Sequence, residues 1–445
     1  MTSRGKASSG LAFPNQMYRL RVSTQGGPIG ASLLKLQGES TMKRLVMAAL
    51  LASFGSIASA QSLAGLWDAT VNVEGTQIPF RLGLSGSGSD VKGWFFNGDE
   101  REISTSGTFE NGSLVLNFDS YAGILQATVK DGVLDGQYSQ RGKSQAIHAT
   151  RALPRASVSA KAPDIGGLWF LQDVKSTKKG EKAWRLIVRQ NGNDVSAAIL
   201  RVDGDTGTLT GSYRDGKFVL SHFSGARPAL LFITPRPDGT LAAELAGTNK
   251  GIMTALRPAE SRGKGLPEPT DADKHTGVKD PSQPLAFSFP DLKGTLVSNA
   301  DPRFRNKVLL INITGSWCPN CHDEAPFLAE MYRKYRDQGL EIVALSFEEP
   351  EQLTNPTRLR AFIQKHGIQY TVLLGGETKS AAEKLTNALD WDAWPTTFFV
   401  GRDGLVKHVH AGFPSPGSGE LYRQAKQSFI TKVEGLLAQN RLTKR

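Results

Sequence analysis

The stretch from Val308 to His322 constrains this chain more than any other. Val308-Leu-Leu-Ile-Asn-Ile-Thr314 is a continuous apolar run of strand length, rich in β-branched residues, as expected of a strand buried on both faces. A Thr-Gly-Ser turn leads into Trp317-Cys318-Pro319-Asn320-Cys321. Apolar residues then recur at helical spacing through Ala325, Leu328, Ala329, Met331, Tyr332 and Tyr335. Two cysteines two residues apart therefore sit at a strand-to-helix junction. The first thiol lies where unpaired helix N–H groups and the helix dipole stabilise a thiolate. Pro319 suits the first helical turn, because the N–H it lacks would be unpaired there anyway. Cys321, one turn further in, is placed to attack a mixed disulfide at Cys318 and release its partner.

Cys318 and Cys321 are the two cysteines of the 445-residue sequence. A disulfide closing so short a loop removes little chain entropy and staples little. Structural zinc would need further ligands at suitable spacing, so no metal is expected. Cys318-Pro-Asn-Cys-His322 also satisfies the C-x-x-C-H pattern of covalent haem attachment. Three features of context favour a dithiol: the preceding buried strand with Trp317, the amphipathic helix starting inside the motif, and Trp394-Pro395-Thr-Thr-Phe-Phe-Val400 downstream. A proline entering a strand is disfavoured in mid-sheet. It makes sense as a cis-proline shaping a substrate groove beside the cysteines. No cofactor is expected beyond the redox-active pair itself.

Near the N-terminus, Met42-Lys43-Arg44 opens a basic segment, residues 45–57 are apolar, and Ala58-Ser59-Ala60 is a small-residue cleavage site. Residues 42–60 read as a secretory signal peptide, too short and wrongly flanked for a membrane span. A leader belongs at the start of a protein, so Met42 reads as the initiator and residues 1–41 as an unstructured over-extension. A long n-region is the alternative. Cleavage near Ala60 places the mature chain in the periplasm or another exported compartment, with no transmembrane helix, although a retained leader acting as an anchor stays open. Residues 1–60 carry seven of the 53 Lys/Arg and one of the 42 Asp/Glu, about half of the formal net charge of +11. What basicity remains, with no basic helix or RNA-binding motif, gives no support to nucleic-acid binding.

From residue 61 to 155 the pattern becomes short alternating strands broken by Asn-Gly and Asp-Gly turns, and residues 160–257 repeat it. Gly65-Leu-Trp67 corresponds to Gly167-Leu-Trp169. Phe109-Glu-Asn-Gly-Ser-Leu-Val-Leu116 resembles Tyr213-Arg-Asp-Gly-Lys-Phe-Val-Leu220, and Asp131-Gly132 matches Asp238-Gly239. A nearly fixed offset through several turns argues for two copies of one all-β module, a small barrel or sandwich. Trp67, Phe96, Trp169 and Phe223 read as core aromatics, with a ligand cavity as the other reading. His148 and His222 lack partners at ligand spacing. The copies hold no acid–base or nucleophile constellation, so docking of a partner is the role left to them.

Residues 258–284, rich in Pro, Gly and charge, read as a semi-extended linker. Residues 285–440 then alternate strands and helices. Strands are expected at 340–347, 371–374, 397–400 and 406–410, and helices at 357–366, 381–389 and 422–437. The fold class is multidomain: two all-β repeats followed by an α/β domain with a central mixed sheet.

This C-terminal part resembles the TlpA/ResA-like thiol-disulfide oxidoreductases of the thioredoxin superfamily. The matching pieces are Phe289-Pro-Asp-Leu-Lys-Gly294, Lys307-Val-Leu-Leu-Ile-Asn-Ile313, Trp317-Cys-Pro-Asn-Cys321, Glu324, and Trp394-Pro-Thr-Thr-Phe-Phe-Val400. The resemblance implies that Glu324 is an acid near the thiols, raising their pKa and shuttling a proton. The residue alone leaves open an ordinary first-turn Glu on the helix dipole. Asn312 stands where thioredoxins carry a buried acid, which leaves Glu324 as the proton-transfer candidate. His322 as an imidazolium would lower the thiol pKa, opposing Glu324, while Asp323 reads as solvated charge. Trp317 and Trp394 flank the groove, with plain packing equally open for Trp317.

By resemblance, the chain is an exported thiol-disulfide oxidoreductase acting on protein cysteines as a reductant. Its implied partners are client disulfides and a membrane protein that donates thiols, with cytochrome c maturation a natural client process. One alternative is a thiol peroxidase on a related fold, which wants a threonine where Gly315 stands. Another is a binding protein whose β repeats carry the function.

Overall fold

Alternating apolar and polar residues, punctuated by glycine turns, build two antiparallel sheets from the first part of the chain. A computed structural model describes residues 63–154, 161–175, 179–246 and 251–439, which fall in one compact unit. The leader, its cleavage site and residues 1–41 lie outside the described residues. In the first module, nine strands from Gly65–Val73 to Lys143–Arg151 follow one another as a meander, and the first strand pairs with the last. A bridge between Gly88 and Phe109 draws the remaining seam together. In the second module, Gly167–Gln172 pairs with both Trp184–Asn191 and Gly251–Leu256, and Asp194–Arg201 pairs with Leu209–Arg214, closing the ring. The second sheet is a closed barrel and the first a barrel whose seam is bridged at one point, and closure removes exposed edges that a long open meander would leave.

The turn chemistry explains the register. Asn111-Gly112, Asp131-Gly132 and Asp215-Gly216 each place two consecutive residues at positive φ, the backbone a two-residue hairpin needs to match strand twist. The copies also share a latch. Trp67 Nε1 donates to Leu63 O at 3.1 Å and Trp169 Nε1 to Ile165 O at 2.8 Å. Arg151 lies over the first indole and Arg257 over the second, 4.3 and 3.7 Å from the ring centres. Trp67, Trp169 and Phe223 are core residues, whereas Phe96 lies half-buried under Arg101. Phe223 belongs to the second module yet fills the mouth of the first, 4.8 Å from Phe80 and 5.2 Å from Phe95 by ring centres.

Residues 258–284 are pinned at several points. Their carbonyls accept from Gln172 and Arg185 of the second barrel, and Ala272 O accepts from Ala411 N of the C-terminal domain at 2.9 Å. Asp273 accepts from His410 and Lys432, at 2.6 Å each.

The C-terminal sheet has the order Thr371–Glu377, Leu340–Glu348, Val308–Thr314, Thr396–Val400, Val406–Ala411. The first three strands are parallel and the last two antiparallel to their neighbours. All seven residues of Val308–Thr314 are buried, as its apolar run requires. On one face Val308, Leu310 and Ile342 pack against Phe327, Leu328 and Met331 of the helix Pro319–Tyr335 and Phe429 and Val433 of Glu420–Ala438. On the other, Leu309, Ile311 and Ile313 meet Leu285, Phe287, Phe304 and Leu385. The helix expected at 381–389 stops at Lys384, and Ala388–Leu389 instead pairs as a strand with Gly277–Val278. Among the described residues, no helix is long and apolar enough to cross a membrane.

Candidate redox site

Side-chain alternation along Val308–Thr314 puts Asn312 on the face that meets the helix Pro319–Tyr335. There it donates from Nδ2 to Glu324 Oε2 at 2.7 Å and to Thr397 Oγ1 at 3.0 Å. Thr397 donates in turn to Glu324 Oε1 at 2.9 Å. Burial in this polar niche lifts the Glu324 carboxyl to about 8, against the opposing pull of the bonds from Thr397 and Asn312. Glu324 lies three residues beyond Cys321 on the helix.

Cys318 caps that helix with extended backbone, and Pro319 takes the first helical position. Cys321 N and His322 N both donate to Cys318 O. Both cysteines are free thiols, 4% and 1% exposed. The first is thus far less open than its position at the helix start predicts, because other parts of the chain cover it. Its Sγ lies 3.7 Å from Trp394 O, and the Trp394–Pro395 peptide bond is cis. Burial and the hydrogen-bonded Cys318 beside it push the Cys321 thiol well above its ordinary range. Trp317 donates to Phe347 O at 2.9 Å and meets Trp394 edge-on, ring centres 5.3 Å apart.

A buried polar network fixes the turn before Cys318. Ser316 donates from N and Oγ to the Glu348 carboxylate at 2.8 and 2.7 Å. Arg358 donates to Ser316 Oγ and Glu348 Oε2, and also pairs with Glu349. Such a charge pair tolerates burial because its donors and acceptors are met on several sides.

Both barrels reach this site. Asn320, between the cysteines, donates to Asp203 O at 2.6 Å and accepts from Arg227 at 2.7 Å. Arg227 also pairs with Asp323 at 3.0 Å, so Asp323 is an interface ion rather than a solvated charge. Tyr121 of the first barrel stacks on His322 with ring centres 4.0 Å apart, and Lys365 pairs with Glu102. Arg141 lies over the Trp317 ring and pairs with Glu349 at 2.5 Å. His322 differs from its expected cationic role. Its Nε2 donates to Ser316 O, leaving Nδ1 to accept from His366 Nε2 at 3.0 Å, and burial holds the ring neutral. His222 is likewise buried and bonded, to Thr208 O and Ser224, while His148 pairs with Asp135 at the surface.

The sequence-predicted residues Asn312, Trp317, Cys318, Pro319, Asn320, Cys321, His322, Glu324, Trp394 and Pro395 thus come together. Sequence reasoning missed Ser316, Glu348, Arg358, Arg141, Asp203, Arg227 and Tyr121. Arg358 carried one signal, a charge beside Leu359 and Phe362 on the buried face of its helix. Among the described residues, no group of three or more His, Cys, Asp or Glu side chains is placed to hold a metal ion.

The model of the AhpC/TSA family matches residues 282–409. The chain is similar to the thiol-disulfide oxidoreductase ResA of Geobacillus kaustophilus, 29% identical over 126 residues, which are 28% of this chain and 66% of that protein. It is also similar to the thiol:disulfide interchange protein DsbE of Allochromatium vinosum, 28% identical over 151 residues, or 34% of this chain and 74% of that one. Among solved structures, a putative thiol:disulfide interchange protein DsbE from Chlorobium tepidum aligns with 36% of this chain and 98% of its own, at 22% identity and a TM-score of 0.29.

Proposed function

We propose that the C-terminal part of the chain is a thiol-disulfide oxidoreductase domain similar to the TlpA/ResA-like proteins, and that Cys318 and Cys321 form the redox pair of an exported enzyme that reduces disulfides in client proteins. The observation that carries this reading is the placement of Cys318 Sγ against Trp394 O, beside Pro395, at the N-cap of a buried helix. Export rests on the leader pattern of residues 42–60.

In the proposed reaction Cys318 thiolate attacks one sulfur of a client disulfide. The client S–S bond breaks, its other sulfur leaves as a thiolate, and a Cys318–client disulfide forms. Cys321 then loses its proton and attacks Cys318 Sγ, closing the Cys318–Cys321 disulfide and releasing the second client sulfur. Two electrons pass to the client, and two protons convert its sulfurs to thiols. Glu324, with a pKa between those of an ordinary carboxyl and a thiol, takes the Cys321 proton when ionised and returns it to the departing thiolate. Pro395 shapes the groove without a competing N–H, and Trp317 and Trp394 line it. A dithiol donor must then recharge the pair, and a membrane thiol donor suits an exported reductant. Cytochrome c maturation is the client process we favour.

Burial that disfavours negative charge at Cys321 supports the reducing direction, since it stabilises thiol over thiolate. Equilibration with defined thiol buffers tests this: a potential of roughly −250 mV or lower is expected, and one of roughly −120 to −180 mV would reverse the direction. Cys321→Ser should accumulate mixed disulfides on Cys318, seen by mass spectrometry. Peroxide turnover by that variant, with no mixed disulfides, would favour a peroxidase instead.

A further inference from the structure

A turn of the second barrel lies across one end of the cleft at Cys318. Gly412 N donates to Pro395 O at 2.6 Å, so the chain strip carrying Trp394 and Pro395 runs from Cys318 to Gly412. Residues 202–204 cover the far end of that strip. Gly204 bridges to Phe413 as a parallel β partner, and Asn320 donates to Asp203 O. The approach is backbone on backbone. A Cβ on Gly412 would stand 2.1 Å from Val202 O, and one on Gly204 would stand 2.4 Å from Phe413 O and 2.6 Å from Asn320 Cγ. Val202, Ala393 and Ala411 form a small buried apolar cluster beneath.

The turn is held on both flanks. Val202 N donates to Glu181 Oε1 at 2.8 Å. The buried Asp205 carboxylate accepts from Ser415 N, Ser415 Oγ and Ser418 Oγ at 2.8, 2.9 and 2.6 Å. Arg227 braces Asn320 and Asp323 beside it. On the opposite flank of Cys318, Trp317, Pro319 and Trp394 stay partly exposed. One side of the cleft is closed by backbone, and on the other Trp394 and Trp317, the latter under the Arg141 guanidinium, keep part of their surface exposed.

We propose that residues 202–205 are a steric filter, which occupies the end of the groove a client chain would otherwise use and restricts Cys318 to disulfides in short or unfolded segments that enter over Trp317 and Trp394. A folded protein disulfide must first displace the turn, and its reaction slows by the fraction of molecules in which the turn is away. The inference rests on the dithiol reading above.

The test uses the full chain, reduced, with three disulfides: 5,5′-dithiobis(2-nitrobenzoate), a flexible disulfide-bridged peptide, and a folded disulfide protein. Each rate is divided by that of dithiothreitol with the same disulfide, which removes differences in intrinsic reactivity. The wild type should treat the first two alike and lag at least about tenfold on the folded protein. Gly204→Ala, which forces the turn off Phe413 and Asn320, should narrow that gap about fivefold or more and leave the small-disulfide rate in place. Arg227→Gln should narrow the gap as well, with its small-disulfide rate measured as the divisor. Equal normalised rates in the wild type overturn the filter even if neither variant folds. An unchanged gap in variants with native circular dichroism overturns it as well. Absence of any reaction between wild-type Cys318 and the small disulfide overturns the dithiol reading instead.

Discussion

Glu324 is a carboxyl group held where it resists ionising, and the consequence is measurable without any client. Its pKa is raised from an ordinary value near 4.5 to about 8. Between those values the folded state binds the proton more tightly than the unfolded state does. The stability this contributes is complete below about pH 4.5 and is lost as pH rises through about 8, at a slope of at most about 1.4 kcal/mol per pH unit. Glu324→Gln keeps the shape and removes the titration. Across pH 4–9 the wild-type denaturant midpoint should therefore fall relative to that of the variant, because Asp323 and the buried histidines are common to both, and parallel profiles would place the titration elsewhere. The cysteine pair was legible because its chemistry depends on near neighbours in sequence, and Pro395 because a proline entering a strand stands out. Glu324 and Asn312 were instead singled out by resemblance, the Thr397 that completes their niche coming from a distant strand. The neutral state of His322 was not legible, since Tyr121, two hundred residues upstream, helps to bury it.

At the scale of elements, the loop holding Phe223 behaves as a stopper for a barrel to which it does not belong. Phe223 is buried among Phe80, Phe95 and Tyr138. Phe223→Ala should cost about 3–5 kcal/mol, the range for emptying an aromatic site in a core. Urea unfolding checks this, and a loss within experimental error would mean the first barrel is sealed without it. Two similar all-β modules were expected because glycine turns and the Gly-Leu-Trp pieces at Trp67 and Trp169 recur at a nearly fixed offset. The stopper was not, because Phe223 looks in sequence like any residue that ends a strand. Likewise, a charge-rich connector looked like a linker, although carbonyls and Asp273 pin it between two domains.

For the molecule as a whole, the barrels and the redox domain share buried ionic contacts at Asp205, Arg227 and Asp323. Linked domains joined through such contacts should unfold together, so calorimetry should record one transition. Asp205→Asn weakens hydrogen bonds to a charged acceptor, each worth about 1.5–3 kcal/mol, and should split or lower that transition. Two transitions in the wild type would mean that the modules stand independently.

The two copies also repeat a habit of contact. In the first barrel the turn after Asp90–Asn97 meets the second barrel, where Asn97 Oδ1 accepts from Thr208 N at 2.8 Å. In the second, the turn after Asp194–Arg201 meets the redox domain through Asp203 and Gly204. In each barrel the corresponding turn grips the element that follows it in the chain. A contact built at this one turn chains three successive bodies in order, and the last link of the chain closes on Asn320, between the two cysteines.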